Sequence, residues 1–269
     1  MNLFVYLFFN VITKGVIKTM VDANVAETII LPSQGKVYEE DVNPEIILSS
    51  MTTKHEMLRL SSNENSQKLM SDILDDCIQT DVGISAYDMC LADYQFLLLK
   101  LREVTFGNDY TMTVICPYCN ARTDVDVDLD DLEVKEFTDE VLKYSEIELP
   151  ISGDTIGLTL QTPRIIDTIN KQVKQAQRKT HTRENQNILY SMLNVITTKN
   201  GEPFNTISEE QWLRNLPLAD TNYIMDAIDK LNSSFGVIMA VDTVCNVCGE
   251  DVVVPFLVNG SFFRPSVLK

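Results

Sequence analysis

Cysteine is the residue type in this chain whose spacing could do chemistry. Cys116-Pro117-Tyr118-Cys119 and Cys245-Asn246-Val247-Cys248-Gly249 are both C-x-x-C pairs. Two intervening residues turn both sulfurs into one bend, at about the separation that a tetrahedral metal needs. Two such bends brought together would supply four thiolates, from Cys116, Cys119, Cys245 and Cys248, and close the coordination sphere of a Zn2+ ion. A closed four-sulfur site leaves no position for water or substrate, so its role is structural. The same ligand set serves rubredoxin-like iron, which ranks below zinc because no redox-partner motif accompanies the cysteines. A thioredoxin-type dithiol would have to open a helix after a strand, whereas Pro117 and Gly249 belong to turns. The remaining cysteines, Cys77 and Cys90, lie in apolar helical patterns and read as buried free thiols. Six cysteines in 269 residues are sparse for a secreted disulfide framework and point to metal binding in a reducing compartment.

Other chemistry is scarce. The two histidines, His55 and His181, sit in no metal or nucleophile motif and read as surface residues. There is no glycine-rich phosphate loop, no nucleophile elbow and no H-E-x-x-H, so the expectation is a protein that is not an enzyme. The alternation Asp124, Asp126, Asp128, Asp130, Asp131 superficially suggests a calcium loop. Counting from Asp124, however, the glycine position holds Leu129 and the closing glutamate position holds Lys135. A solvated strand face explains these aspartates better, with a supplementary role as an acidic docking stripe left open. Lys171, Lys174, Arg178, Lys179 and Arg183 form the one basic region; it reads as a solvated helix face whose cations suit the helix C-terminus.

The cysteines need elements to hold them. Tyr110 to Leu129 reads as a hairpin with the first pair at its tip, because Met112, Val114, Val125, Val127 and Leu129 alternate with polar residues. Val237 to Val241 leads into the second pair and Val252 to Phe256 leaves it, giving a second hairpin. The expectation is that these hairpins face each other as a zinc ribbon, with a helical block inserted between its halves. Upstream, Thr28 to Leu31, a turn at Pro32 to Gly35 and Lys36 to Tyr38 suggest another hairpin. Thr53 with Glu56 forms a capping box that opens a helix. Helices are expected at Ser66 to Ile78, with Leu69, Ile73, Leu74 and Cys77 on one face, and at Tyr87 to Val104, apolar nearly all round and therefore buried. A hairpin is expected over residues 146–161 around Gly153-Asp154, then helices from about Pro163 to Ser233. Their stripes are Ile165, Ile169, Val173, Ala176 and Ile188, Met192, Val195, Ile196, and Ser208 with Gln211 is expected to cap a short helix carrying Trp212.

Composition bounds the rest. Hydrophobic residues at 45% and charged residues at 23% are ordinary for a globular chain. The 22 Lys and Arg against 39 Asp and Glu give a formal net charge of -17. Such a surface repels phosphate backbones and suits basic patches on a protein partner. Leu3 to Ile12 is an apolar run too short to span a bilayer, and its Lys14 and Lys18 follow the run instead of preceding it, unlike a signal peptide. No membrane association is expected, and an upstream start codon or accessory tail is the reading of residues 1–20. The chain is expected to divide into that extension, an N-terminal hairpin and helical region at 21–109, a ribbon-like β part at 110–136 with 235–269, and a hairpin plus helical insertion at 137–234.

Several stretches together resemble the baseplate hub proteins of T-even-type contractile-tailed bacteriophages. They are Leu31-Pro32-Ser33-Gln34-Gly35-Lys36-Val37-Tyr38, Met51-Thr52-Thr53-Lys54-His55-Glu56, the helix around Leu69 to Leu74, and Leu91-Ala92-Asp93 through Leu97 to Arg102 and Phe106 to Tyr110, ending on Cys116 to Cys119. The resemblance covers about the first half after residue 20, and the second half matches mainly through its closing cysteine hairpin. It implies a structural or assembly component of the tail, found in the virion baseplate or in the host cytoplasm during assembly. It also implies other phage tail and baseplate proteins as partners, and no catalysis. The sequence therefore predicts an α+β protein with a long-range four-cysteine zinc ribbon and an inserted helical block, acting by protein docking. Arg102 and Tyr110 could position that platform, although core packing explains them equally well. The alternative is a zinc-ribbon factor associated with nucleic acid or transcription, which a salt-sensitive affinity for DNA or RNA would reveal.

Overall fold

Alternation of apolar and polar residues is realised where the sequence shows it most strongly. The computed structural model describes residues 19–21, 24–61, 67–180, 185–256, 258 and 262–263. The run Leu3 to Ile12 with Lys14 and Lys18, and likewise His181 and Arg183, lie outside the described residues. Strands β1 (Thr19–Val21), β2 (Asn24–Ile30) and β3 (Glu45–Ser49) form an antiparallel sheet in that order. The return strand of β2 is thus β3 and not Lys36 to Tyr38. Gln34 and Gly35, with φ of 53° and 76°, take the chain through a turn, and the register Ile30↔Glu45 to Ala26↔Ser49 is set further on.

Helices α1 (Thr53–Ser61), α2 (Gln67–Cys77) and α3 (Leu91–Phe106) follow. The capping box of α1 lies one residue earlier than the sequence suggests. The Thr52 amide donates to His55 Nδ1 at 2.9 Å, while the amides of His55 and Glu56 donate to the Thr52 carbonyl. Glu56 turns instead to Arg59. His55 is consequently buried, not a surface residue.

Helix α3 is buried on nearly every side, as its composition suggests, and it buries three charged residues as well, Asp93, Arg102 and Glu103. Buried charge is tolerated only when paired or hydrogen-bonded. Asp93 accepts from the Ser33 amide at 2.9 Å and from the Tyr38 hydroxyl at 2.6 Å, tying the 32–38 loop onto the helix. The Arg102 guanidinium donates to the carbonyls of Gly107 and Asp109 and lies over the rings of Phe106, Tyr110 and Phe262, which is core packing at the foot of the first cysteine hairpin. Glu103 meets Lys100 at 2.5 Å, but its Oε1 is buried with no partner. The pair is lopsided. Burial disfavours both charges, yet Lys100, less deeply sunk and near both Glu103 and Asp130, shifts upward, while burial pushes the Glu103 carboxyl up to about 7.

The first cysteine hairpin consists of β4 (Asp109–Ile115) and β5 (Arg122–Asp128). After a short β6 (Val134–Lys135), strands β7 (Glu146–Glu148) and β8 (Thr155–Leu158) form the next hairpin. Helices α4 (Pro163–Thr180) and α5 (Asn187–Val195) follow. The block is not wholly helical, because β9 (Ile196–Lys199) and β10 (Glu202–Pro203) interrupt it and complete a four-stranded sheet in the order β10-β9-β8-β7. Ile196 therefore belongs to a strand, Ile188 is exposed, and α5 buries Leu189, Met192, Leu193 and Val195. Helices α6 (Glu210–Arg214) and α7 (Leu218–Ser233) end this stretch. No side chain caps α6; the Ser208 hydroxyl donates instead to the Asn205 carbonyl.

Strand β11 (Gly236–Val237) pairs antiparallel with β6, and β12 (Ala240–Val244) with β13 (Asp251–Pro255) makes the second cysteine hairpin. Two clusters share α3 between them. One gathers β2, β3, α2, most of α3 and the rings of Phe256 and Phe262. The other gathers apolar residues from Phe137 to Phe235 and takes Cys90, just before α3, and Ala92 from its first turn. Gly236 lies against that helix, where a Cβ would stand 2.8 Å from the Ala92 Cβ. The approach of β11 to α3 thus requires glycine, and it fixes where the second hairpin begins.

Candidate metal centre

The two cysteine hairpins are built alike. Each strand pair alternates, so that one face carries Met112, Val114, Val125, Val252 and Val254 toward a small shared core that includes Cys116 and Cys245. In the first bend the Cys116 amide donates to the Ala121 carbonyl and the Asn120 amide to the Cys116 carbonyl; in the second the Cys245 amide donates to Glu250 and the Gly249 amide to Cys245. Asn120 and Gly249 occupy equivalent positions with φ of 56° and 76°. Only glycine and, less readily, asparagine take this left-handed conformation routinely, which explains those residue types just after the second cysteine of each pair. The sequence pattern of the cysteines does not by itself point to this pair of positions, although their residue types offer the clue.

The bends meet. Cys116 Sγ is 3.7 Å from Cys248 Sγ, and Cys119 Sγ is 3.7 Å from Cys245 Sγ, across 132 and 126 positions of sequence. All four sulfurs lie within 4.8 Å of one another. A tetrahedron with metal–sulfur bonds of about 2.3 Å has edges of about 3.8 Å. The two 3.7 Å separations match that edge and far exceed the roughly 2 Å of a disulfide bond. The hairpins do not share strand hydrogen bonds; they remain separate two-stranded sheets. The Thr123 hydroxyl, 3.0 Å from Asn246 Oδ1, stitches them beside the cluster.

Electrostatics fit a cation in the middle. The Cys248 and Val247 amides point at the Cys245 sulfur and bring its thiol down to about 6. At Cys119 the Ala121 amide acts in the same sense, but desolvation and the nearby sulfurs outweigh it, and the thiol stands above its ordinary value. Cys248, despite the Glu250 amide, is pushed up to about 12 for the same reasons. One thiolate is favoured and further ones repel it. A divalent ion removes that repulsion and lets all four deprotonate. The donor set, its spacing and the N–H groups aimed at sulfur suit zinc, and two hairpins clamped by it would fix the spacing of the chain's two distant segments.

The other candidates resolve into structure. His55 Nε2 is 3.0 Å from Asp76 Oδ2 and its Nδ1 lies 3.7 Å from Cys77 Sγ, which has the outline of a thiol–imidazole–carboxylate array. The Nδ1 lone pair, however, already receives the Thr52 amide, and burial pushes the Cys77 thiol up to about 12. A buried, protonated thiol beside an occupied imidazole nitrogen is a poor nucleophile. Cys90 is likewise buried, with the Tyr38 hydroxyl 3.4 Å from its sulfur. Asp124 and Asp126 are exposed on β5 and accept from the hydroxyls of Thr113 and Thr111 across the hairpin, a solvated face. Lys171, Lys174 and Arg178 are exposed on α4. Among the described residues, no helix is long and apolar enough to cross a membrane.

The model of a family described as "T4 bacteriophage base plate protein" matches residues 23–264. That span takes in both cysteine pairs and the whole stretch between them, well past the first half of the chain where the sequence resemblance is strongest. Neither curated proteins nor solved structures give a match.

Proposed function

Because the chain belongs to the T4 bacteriophage base plate protein family, we propose that it is a structural component of the baseplate hub, clamped by a zinc ion on Cys116, Cys119, Cys245 and Cys248. The observation that carries the reading is the convergence of four sulfurs from two hairpins 126 and 132 positions apart, inside the span that the family matches. In this reading the two hairpins act together as a zinc ribbon at 110–136 and 235–269, and the 137–234 segment is an inserted body. The residues 21–109, with Thr19 and Met20 of β1 paired to β2, make the remaining body. The ion supplies no chemistry beyond holding the ribbon rigid, and the protein works by presenting surfaces to neighbouring tail subunits rather than by catalysis. A net charge of -17 suits basic patches on those partners and disfavours nucleic acid.

The test is isolation of tails from infected cells, with the chain located by labelled antibody and zinc measured in the purified protein. The reading expects the chain at the central hub with one zinc per copy. A chain absent from tails, or bound with salt-sensitive affinity to DNA or RNA, would overturn it in favour of the nucleic-acid alternative.

A further inference from the structure

The two cysteine hairpins are near copies, and the outward face of one differs from that of the other in a way that folding does not require. On β4–β5 the outward residues are polar except at the tip, where Ile115, 59% exposed, faces Arg122. Thr111 faces Asp126 and Thr113 faces Asp124, and in each pair the hydroxyl donates to the carboxylate, at 2.7 and 2.8 Å. Aligning Cys116 with Cys245 and Cys119 with Cys248 matches Val244 to the equally exposed Ile115, and the faces differ where Val253 replaces Asp124, Pro255 replaces Asp126 and Asp251 replaces Arg122. On β12–β13 the register sets Asp242 opposite Val253 and Val244 opposite Asp251. Both valines are exposed, at 58% for Val244 and 68% for Val253, and Pro255 continues the face. Neighbouring exposed valines that fill no core are costly to leave in water.

The charges on this face are equally one-sided. Asp242, Glu250 and Asp251 are exposed, and residues 236–256 contain no Lys, Arg or His. Val253 offers Asp242 no donor, whereas in the equivalent pair of the first hairpin, Thr113 and Asp124, the hydroxyl donates to the carboxylate. An aliphatic pair rimmed by carboxylates lacking a cross-strand donor is complementary to an aliphatic patch rimmed by cations. A second copy of this chain, itself strongly acidic, is a poor match.

We propose that the outward face of β12–β13, centred on Val244 and Val253, is the surface through which this protein docks onto a tail-protein partner presenting an aliphatic patch rimmed by Lys or Arg. This deepens the baseplate reading and rests on it. The zinc-clamped bend sets the face, and Asp242, Asp251 and Glu250 steer and register the partner.

The test uses the full chain assembled into tails in infected cells. Val253→Thr keeps a β-branched residue and gives Asp242 the same cross-strand donor that Thr113 gives Asp124, so zinc content and thermal melting are expected unchanged. Incorporation into purified tails is expected to fall roughly tenfold, the effect of losing one well-packed contact, while Thr113→Val on the first hairpin leaves it within about twofold. Independently, a photo-reactive benzoylphenylalanine at position 253 is expected to crosslink to another tail protein at a segment carrying aliphatic residues with Lys or Arg beside them, and one at position 113 is not. Normal incorporation of a folded Val253→Thr chain would overturn the proposal. So would crosslinks at 253 that match those at 113, end on a second copy or on a segment without cations, or fail to form. The crosslink decides even if Val253→Thr folds poorly. Absence of the unsubstituted chain from tails would instead remove the baseplate reading beneath it.

Discussion

Replacing Gly236 by alanine probes the joint between the second hairpin and α3. Gly236 has φ of +91°, and an alanine Cβ at this position would stand 2.8 Å from Ala92 Cβ and 3.1 Å from Ala92 Cα. Two penalties follow. A residue with a Cβ in left-handed backbone loses about 1–2 kcal/mol. Forcing a methyl into a packed contact costs about 1–3 kcal/mol. The expected loss is therefore about 2–5 kcal/mol, a large share of the 5–15 kcal/mol that typically holds a protein together. Urea unfolding of the zinc-loaded protein measures it, read at constant m-value. The double variant Gly236→Ala with Ala92→Gly removes the 2.8 Å contact but leaves the 3.1 Å approach to the Cα and the backbone penalty. It should recover part of the packing share, less the roughly 1 kcal/mol that a glycine costs within a helix. Because β11 leads directly into β12, the single variant should also weaken metal binding. A loss below about 1 kcal/mol, or a double variant no better than the sum of the singles, would refute the argument that this contact positions the second hairpin.

Two further perturbations address the site and its support. Gly249→Val should destabilise the zinc-loaded protein by about 1–2 kcal/mol, because φ of 76° is hostile to a β-branched residue, whereas Asn120→Gly at the equivalent position should change stability by only a few tenths; thermal melting of both variants checks this. Glu103 links stability to pH. Its folded-state carboxyl stands near 7 against an ordinary 4.5, so below about pH 4.5 both states hold the proton and nothing is lost. As pH rises through the 4.5–7 window the unfolded chain releases its proton first, and this group's contribution falls by up to about 3 kcal/mol. Asp76 and Asp88, held low by Lys54 and Arg164, contribute stability with rising pH in a lower range. Glu103→Gln should abolish the decline between pH 4.5 and 7 in denaturant titrations; an unchanged profile would show that the buried carboxyl is not its source.

Much of the candidate site is legible because it is written in local patterns. The alternation of Met112, Val114, Val125 and Val127 gives a two-residue period, and C-x-x-C dictates a bend, so both hairpins and their four cysteines can be read directly. What brings the bends together is β11 on β6 and Gly236 against Ala92, contacts between distant segments that no local period encodes. Elsewhere the differences have particular causes. The start of the β9–β10 hairpin is hidden because Ile196 extends the apolar stripe that begins at Ile188. Yet Asn200-Gly201, with φ of 53° and 81°, is the two-residue turn that favours hairpins most strongly. Lys36 to Tyr38 looks like a strand because Val37 and Tyr38 favour one, but Tyr38 is drawn off to Asp93. His55 looks solvated because it follows Thr52-Thr53-Lys54; its ring replaces the glutamate of a capping box and so points inward. Asp93 and Arg102, buried on α3, are invisible in sequence because their partners, Ser33, Tyr38 and the carbonyls of Gly107 and Asp109, come from outside the helix.

X-ray absorption at the metal edge of protein purified without added metal tests the central claim most directly. One zinc per chain with four sulfur neighbours at about 2.3 Å is expected, with loss of that signal when Cys245 is replaced by serine. Protein that is folded yet metal-free, a shell containing nitrogen or oxygen, or sulfurs joined as disulfides would contradict it.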